Sequence, residues 1–442
     1  MSDPEEIRAE ILKLVRLYAE TAHQRASFVP GKTRITYSGR VFDSAEMLNL
    51  VSSALDFWLT AGPYAERFEK RLREFFGSAD FLLVNSGSSA NLLMIATLCA
   101  EELDRILGSS GPPRLRPGDE VITPAATFPT TLTPIVQNHL VPVFVDCEVG
   151  TYNINVDLIE EAIGPRTRAI FAPHTLGNPL DMDKLVGIAE SRGLWILEDG
   201  CDALGATFGD RLVGTFGAMS SLSFYPAHQM TMGEGGGVVV NHPRLKKTAA
   251  SIRDWGRDCW CDPGKFNTCG RRFDWQLGDL PHGYDHKYVY TNLGYNLKAT
   301  DLQAAIGLAQ FEKVPQFIEA RRRNFRLLKE GLAPLEERLI LPRTHPKANP
   351  SPFGFPVTVR GGTDRRDIIA HLEAANIETR LIFGGNIVRQ PGFLNIPRRI
   401  HGQMEGADAI MERTFFVGVY PGLSGEAIGY IVEQFHQFFR IR

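Results

Sequence analysis

Residues 81–98 read FLLVNSGSSANLLMIATL. The apolar run Phe81–Val84 predicts a strand, and the polar stretch from Asn85 to Asn91 predicts a turn that opens an apolar helix. Small residues in such a turn let main-chain N–H groups approach an anion, and the positive end of the helix dipole favours a phosphate there. The stretch therefore indicates a phosphate-binding turn, although an ordinary serine N-cap leaves the same pattern.

Short apolar runs alternate with helical patterns along the next 140 residues. This alternation is typical of an α/β domain with a mostly parallel sheet. We therefore predict an α/β fold: a mostly parallel, seven-stranded sheet with helices on both faces, plus a smaller C-terminal α/β domain. The strand candidates after the first are 120–123, 141–145, 169–172, 194–198, 220–224 and 236–240.

The pattern divides the chain into an N-terminal helical segment at 1–40, a large domain at 41–310 and a small domain at 311–442. Residues 301–333 predict one long helix that crosses Pro315, where a break or a kink is expected because proline lacks the N–H that the helix needs.

Composition excludes several classes of protein. The 442 residues carry a net charge of −3, so no basic field favours nucleic acid. The acidic N-terminus lacks a signal-peptide pattern, and the longest apolar stretch, 92–100, is about half of the roughly 18 residues that span a bilayer. We therefore expect a cytoplasmic protein. In that reducing compartment the six cysteines favour metal binding or chemistry over disulfides.

Two segments predict reactive side chains. Asp199 follows the strand candidate 194–198, at the edge of a parallel sheet where ligands bind, so its carboxylate either holds a pyridine nitrogen protonated or caps a helix. His228 follows Ser223-Phe-Tyr-Pro-Ala and precedes a glycine-rich turn, which makes it either a general base or a structural hydrogen-bonding group.

These segments, taken in order, resemble the sugar-nucleotide aminotransferase branch of the fold-type-I pyridoxal-phosphate enzymes. The resemblance covers about residues 37–439. The motifs that carry it are LTAGP at 59–63, NSGSS at 85–89, PAATF at 124–128, GNPLDM at 177–182, ED at 198–199 and GYNLKATDLQAAIG at 294–307.

The resemblance implies a role for each matching position. Asp199 would pair with the pyridine nitrogen of the cofactor and Phe128 would stack on its ring. Three residues would hold the phosphate, namely Gly87, Ser88 and Ser223. Asn296 would reach the phosphate across the interface of a homodimer.

One position departs from the aminotransferase pattern. Where those enzymes carry the Schiff-base lysine this chain has His228, and no lysine occurs between Lys184 and Lys246. Imidazole forms no Schiff base, so the resemblance implies a noncovalently held cofactor, pyridoxamine 5′-phosphate (PMP). His228 would remove a proton from its C4′ atom. The expected reaction is then removal of a hydroxyl from a keto sugar rather than transamination.

Two groups of enzymes that resemble this chain carry histidine at this position, and four cysteines distinguish between them. Cys201, Cys259, Cys261 and Cys269 have the spacing C-x57-C-x-C-x7-C. It resembles that of the iron–sulfur sugar 3-dehydrases, the CDP-6-deoxy-L-threo-D-glycero-4-hexulose-3-dehydrase family. The resemblance implies a [2Fe–2S] cluster on these four residues, for which four thiolates are suitable ligands. A structural zinc site with the same ligands is the alternative.

The expected activity is PMP- and [2Fe–2S]-dependent C3 deoxygenation of a nucleotide-linked 4-keto-6-deoxyhexose, with electrons from an NAD(P)H-dependent flavin reductase. The substrate would be CDP-4-keto-6-deoxy-D-glucose, and a dTDP-linked sugar is an alternative. A dehydratase that cycles with glutamate needs no reductase, and a degenerate relative would only bind the cofactor.

The remaining candidates carry weaker expectations. Tyr225 is expected to line the pocket or to pack, and Asp202 has no defined role. We expect His174, His282 and His286 to be surface or loop residues, Arg321–Arg323 to form a solvated helix face, and Cys99 and Cys147 to be structural.

Overall fold

The computed structural model describes residues 3–24, 27–108, 111–261 and 264–441. The α-helices of these ranges are α1 (Pro4–Ala22), α2 (Ser44–Asp56), α3 (Pro63–Phe76), α4 (Gly87–Cys99), α5 (Leu103–Leu107), α6 (Pro129–Gln137), α7 (Ile159–Ala162), α8 (Met182–Arg192), α9 (Lys246–Arg253), α10 (Asp301–Phe311), α11 (Val314–Leu332), α12 (Arg365–Ala374), α13 (Glu405–Arg413) and α14 (Gly425–Ile441).

The strands form three sheets. In chain order they are β1 (Asp80–Val84), β2 (Glu120–Pro124), β3 (Val141–Val145), β4 (Thr167–Pro173), β5 (Trp195–Asp199), β6 (Thr207–Phe208), β7 (Arg211–Leu212), β8 (Met219–Ser223), β9 (Gly236–Val240), β10 (Leu339–Ile340), β11 (Ala348–Asn349), β12 (Gly354–Val359), β13 (Thr379–Arg380), β14 (Arg399–Ile400) and β15 (Thr414–Gly418).

The large sheet has the order β1-β9-β8-β5-β4-β2-β3-β14. Its strands are parallel except β9, which runs antiparallel to both of its neighbours. The α/β fold and the seven predicted strands are confirmed. The predicted strand count is wrong by one, because the two-residue strand β14 comes from the C-terminal part of the chain and its pairing with β3 depends on a contact distant in sequence.

Both faces of this sheet are covered, as alternate residues of β4 show. Ala169 and Phe171 are buried in one apolar cluster with α4, whereas Ile170 and Ala172 are buried in another with α8. A parallel sheet needs such cover on both faces, and near-continuous apolar strands are its signature in sequence.

A second, antiparallel sheet has the order β10-β12-β15-β13 and packs with α11, α12 and α14. Sequence patterns predicted β12, α12 and α14 but did not detect β15. The domain limits at 40 and 310 stay predictions.

The long helix predicted over 301–333 is two helices. α10 ends at Phe311 and α11 begins at Val314, so Pro315 lies in the first turn of α11, where its missing N–H is not needed. The predicted break is confirmed and falls just before the proline.

The predicted N-terminal helix is α1, which ends at Ala22. Within the predicted segment 1–40, residues 1, 2, 25 and 26 lie outside the described ranges. Among the described helices, none combines the length and the apolar character needed to cross a membrane.

Candidate active site

A cavity of about 420 Å³ lies where β5 and β8 end and α4 begins. We call it the main cavity. It contains most of the site residues predicted from sequence, and residues of the C-terminal part close its other side. The lining residues that matter below are Gly87, Ser88, Phe128, Asp199, Cys201, Asp202, Ser223, Tyr225, His228, Phe353 and Arg380.

Asp199 is the last residue of β5 and is buried, with 5% of its surface exposed. Its Oδ2 accepts hydrogen bonds from Thr131 Oγ1 (2.7 Å) and Asn91 Nδ2 (2.9 Å). Its Oδ1 accepts from Ser221 Oγ and from the Cys201 main-chain N–H, both at 3.2 Å. These donors stabilise an ionised carboxylate inside the cavity, as a protonated pyridine nitrogen requires of its partner.

The predicted phosphate-binding turn lies at the start of α4. Ser86 caps the helix by accepting from the Ser89 N–H (3.0 Å), so the N-cap interpretation is correct, and the same turn lines the main cavity. At Gly87 a Cβ atom would come within 2.7 Å of Ser223 Cβ and 2.8 Å of Cys201 Sγ. The close approach allowed by glycine leaves helix N–H groups and serine hydroxyls around one small space, which fits a phosphate.

His228 lies between an acid and an aromatic ring. Its Nδ1 is 3.3 Å from Asp202 Oδ1, although the angle is not that of a linear hydrogen bond, and its ring centroid is 5.2 Å from that of Phe353. No lysine is among the described residues that line the main cavity. The donor set therefore fits PMP held without a covalent bond.

Two other predicted cofactor residues differ in their placement. Phe128 lines the main cavity with 48% of its surface exposed, and its ring meets Phe383 edge to face at 5.8 Å. Asn296 is not among the described cavity residues; it pairs with Asp254 and accepts from Lys298 Nζ (2.8 Å). Its predicted role across a homodimer interface stays a prediction.

Comparison with known proteins gives the family. The model of the DegT/DnrJ/EryC1/StrS aminotransferase family matches residues 42–436. The chain belongs to this family.

Two relatives of this family match nearly the whole chain. The lipopolysaccharide biosynthesis protein RfbH of Salmonella typhimurium is 49% identical over 435 residues, which is 98% of each chain. The dTDP-4-dehydro-2,6-dideoxy-D-glucose 3-dehydratase of Saccharopolyspora spinosa is 50% identical over 430 residues, which is 97% of this chain and 91% of that one.

A solved relative has the same fold and contains a bound cofactor. The GDP-4-keto-6-deoxy-D-mannose-3-dehydratase of E. coli, with bound hydrated PLP, has a TM-score of 0.80 at 28% identity and covers 90% of this chain and 98% of that one. The chain is thus an enzyme of a PLP-dependent sugar-nucleotide family that includes dehydratases and aminotransferases, and the predicted resemblance to fold-type-I enzymes is confirmed.

The predicted four-cysteine site is not assembled in the described residues. Cys259, Cys261 and Cys269 line one small cavity together with Phe266, Asn267, Arg272, His286 and Lys287, which we call the cysteine cavity. Cys201 lines the main cavity instead, since it follows β5. In the described ranges no group of three or more Cys, His, Asp or Glu side chains is arranged to hold a metal ion.

The other two cysteines behave as predicted structural residues. Burial raises the pKa of both the Cys99 and the Cys147 thiol to about 12, so both stay protonated at neutral pH.

Two of the histidines expected at the surface or in loops are buried. His174 is fully buried and its Nε2 is 3.2 Å from Glu198 Oε2, while its Nδ1 accepts from the Leu180 N–H. His286 has 1% of its surface exposed and its Nε2 is 2.6 Å from Asp258 Oδ2. Both lie in loop segments, as expected, but the expectation of a surface position is wrong for both, because each ring is paired with a buried carboxylate that sequence alone did not reveal.

The expected solvated face at Arg321–Arg323 is wrong for its first residue. Arg321 has 2% of its surface exposed. The sequence held a signal, because Phe317, Ile318, Arg321 and Asn324 follow the helical spacing of a buried stripe, and all four are buried. The three consecutive arginines mask this stripe, because only Arg321 belongs to it.

Proposed function

We propose that this protein removes the C3 hydroxyl of a nucleotide-linked 4-keto-6-deoxyhexose with PMP as cofactor. The observation that carries the proposal is His228 in the main cavity, beside the buried carboxylate of Asp199 and with no lysine among the described lining residues. A transaminase needs that lysine, whereas a dehydratase needs a base that leaves the cofactor free.

When bound, PMP supplies an amine for the sugar ketone and a ring that accepts electrons from C4′. The Asp199 carboxylate would keep the pyridine nitrogen protonated, and Gly87, Ser88 and Ser223 would hold the phosphate. Phe128 would pack against the ring. His228 has Nδ1 beside Asp202, so Nε2 is the nitrogen that would take the C4′ proton.

Two nucleotides have support as the carrier of the sugar. The 50% identical relative is named for a dTDP-linked sugar, and the notion of a CDP-linked sugar rests on the cysteine spacing. We propose CDP-4-keto-6-deoxy-D-glucose, with the dTDP-linked sugar as the alternative.

We also propose that Cys259, Cys261 and Cys269 hold an iron–sulfur centre, reduced by a partner flavin reductase. Three sulfur atoms around one cavity and the C-x57-C-x-C-x7-C spacing support it. Cys201, the fourth residue of the spacing, lines the other cavity. A centre on three or on four cysteines therefore requires rearrangement of the segment that carries Cys259, Cys261 and Cys269, and we assign no reaction step to it.

Turnover of purified protein with PMP tests the dehydration. Each nucleotide sugar is supplied separately, with an NAD(P)H-dependent flavin reductase or with glutamate as the source of the two electrons that replacing the C3 hydroxyl by hydrogen requires. Loss of the C3 oxygen is followed by mass spectrometry. We expect a 3-deoxy product from one of them and no amino sugar. Formation of a 4-amino sugar as the main product would contradict the proposal.

A parallel measurement tests the redox part. Anaerobically purified protein is assayed for iron, sulfide and visible absorption, with Cys259→Ser and Cys201→Ser as a matched pair. We expect iron to be lost in the first variant. Colourless, zinc-containing protein would refute the cluster.

Dependence on glutamate rather than on a reductase would identify the second candidate, a glutamate-cycling dehydratase. That candidate has a specific support, since the solved GDP-4-keto-6-deoxymannose-3-dehydratase was also trapped with a PLP–glutamate geminal diamine.

A further inference from the structure

Arg321 is a buried cation in α11 whose guanidinium contacts main-chain carbonyls of two separate segments. Its Nη2 donates to the carbonyls of His228 (2.6 Å) and Ala227 (3.3 Å). Its Nη1 donates to the carbonyls of Pro352 and Phe353, both at 3.2 Å. The planar guanidinium thus connects the loop that carries His228 to the segment that carries Phe353, whose ring packs against the His228 imidazole.

Burial of this guanidinium costs free energy of folding. Within the described residues Arg321 forms no ion pair, its Nε has no partner, and burial lowers its pKa to about 10 against the opposing charge of Asp202. A buried charge without a carboxylate partner is weak support for stability, so its retention favours a role beyond packing.

The surroundings of His228 show what the guanidinium controls. The imidazole lies between the Asp202 carboxylate and the Phe353 ring. The carbonyl of His228 and that of Phe353 are both bound by Arg321, so the relative position of the imidazole and the ring depends on that one side chain. Gln229 adds a second tie, from its Nε2 to the carbonyls of Ser351 (2.8 Å) and Asp202.

We propose that Arg321 is a positioning residue that fixes the imidazole of His228 for proton transfer. The reaction step rests on the proposed dehydration, whereas the positioning itself is a property of the folded chain. Misplacing a reacting group by about 1 Å is enough to cost roughly 100-fold in rate.

The neighbouring Arg322 provides a matched control. It also donates to carbonyls, from Nε to Pro350 at 2.8 Å, and burial also lowers its pKa. Its Nη2 donates to the carbonyls of Gly205 and Asn349, and none of these bonds reaches the His228 loop or Phe353. Arg321→Lys keeps the charge but not the planar fork, and Arg321→Gln keeps amide donors without the charge; Arg322→Lys and Arg322→Gln are the controls.

The kinetic test compares kcat, KM and Tm of these four variants in the protein loaded with PMP. We expect both Arg321 variants to lower kcat roughly 10- to 100-fold with KM within about twofold, and both Arg322 variants to keep kcat within about twofold. A fall in Tm without a fall in kcat would overturn the proposal. So would loss of the folded state in both Arg321 variants, since that assigns the residue to stability.

A second readout needs no turnover. Diethyl pyrocarbonate modifies accessible imidazoles, and mass spectrometry follows the modification of His228 alone. We expect its rate to change at least about threefold in Arg321→Lys and to stay unchanged in Arg322→Lys. If no nucleotide sugar is dehydrated, the proposed function fails while this rate still tests the positioning. An equal rate in both variants would overturn the inference.

Discussion

The main cavity and the cysteine cavity are built in different ways. The main cavity lies at the ends of β5 and β8, where neighbouring strands fix each side chain, and its carboxylate Asp199 already has four donors. Hydrogen bonds within the chain thus fix the position of this carboxylate, which is what a site for precise chemistry needs.

The cysteine cavity lies in the segment between α9 and α10, residues 254–300. Apart from the short turn His286–Tyr288 and isolated bridges, the described part of this segment has no helix or strand. Lys247 Nζ of α9 ties it to the large domain at 2.7 Å from Asp258 Oδ1, and the His286–Asp258 contact joins two parts of the segment itself. The main cavity is therefore held by a hydrogen-bonded sheet, whereas the cysteine cavity lies in a segment with little regular structure.

Hydrogen exchange gives the largest expected contrast between the two regions. Without added metal, amides of the segment 264–285 should exchange at least about 10³-fold faster than those of β5 and β8, because a segment without a hydrogen-bonded ladder opens locally. Mass spectrometry of peptic fragments measures this. Equal protection of the two regions would contradict the expected contrast. Slower exchange of 264–285 in iron-loaded protein would show that this segment becomes ordered when iron binds.

His228→Asn should lower kcat by roughly 10²–10⁴-fold, since amide nitrogen cannot accept the proton at neutral pH. PMP affinity, followed by absorbance, should stay within about threefold because Asp199 and the α4 turn are untouched. Tyr225→Phe is the matched control in the same cavity, with an expected loss of at most about fivefold, the cost of one hydrogen bond. Full turnover in His228→Asn would remove His228 from the reaction.

Thiol labelling should separate the cysteines by at least about tenfold in rate. The raised pKa of Cys99 and Cys147, about 12 in each case, keeps both as thiols near pH 8. Cys147 is also buried, so the cysteines of the cysteine cavity should react before both of them. Alkylation followed by mass spectrometry gives the order. Rapid labelling of Cys147 would show that the sheet region opens as readily as the cysteine segment.

The smallest effect concerns the sheet at Glu120, the first residue of β2. Hydrogen bonds from Arg399 hold the pKa of its carboxyl below the ordinary value, against the opposing effect of burial. A lowered folded-state pKa stabilises the protein above the unfolded pKa, and this contribution is lost as the pH falls through the lowered value. Glu120→Gln should therefore cost about 1–3 kcal/mol at neutral pH and less below about pH 4.5.

Urea unfolding of Glu120→Gln at several pH values measures this, with PMP affinity as the control. An equal loss of stability at acidic and neutral pH would contradict the assignment. A change in PMP affinity would show that the two ends of the sheet are coupled.

Local patterns were enough for much of this molecule. Short apolar runs and period-3.6 apolar spacing predicted the central strands, a break at Pro315 and an apolar helix after the turn 85–91, because these depend on neighbours in sequence. The helix itself, α4, begins earlier than predicted, at Gly87. The side chains of Asp199, Ser223 and His228 follow strand ends, and parallel strands bring such ends to one edge of the sheet. Their convergence in one cavity followed from that rule.

Tertiary contacts decided the rest. The pairing of β14 with β3, the burial of Arg321 against the His228 loop, and the placement of Cys201 away from Cys259 all join residues distant in sequence. Sequence spacing predicts contacts between residues that are close along the chain. Contacts between distant residues depend on packing and on the need to satisfy buried polar groups. That is why the sequence by itself determined the strands and the reactive side chains, while only the tertiary structure showed what holds the imidazole in place.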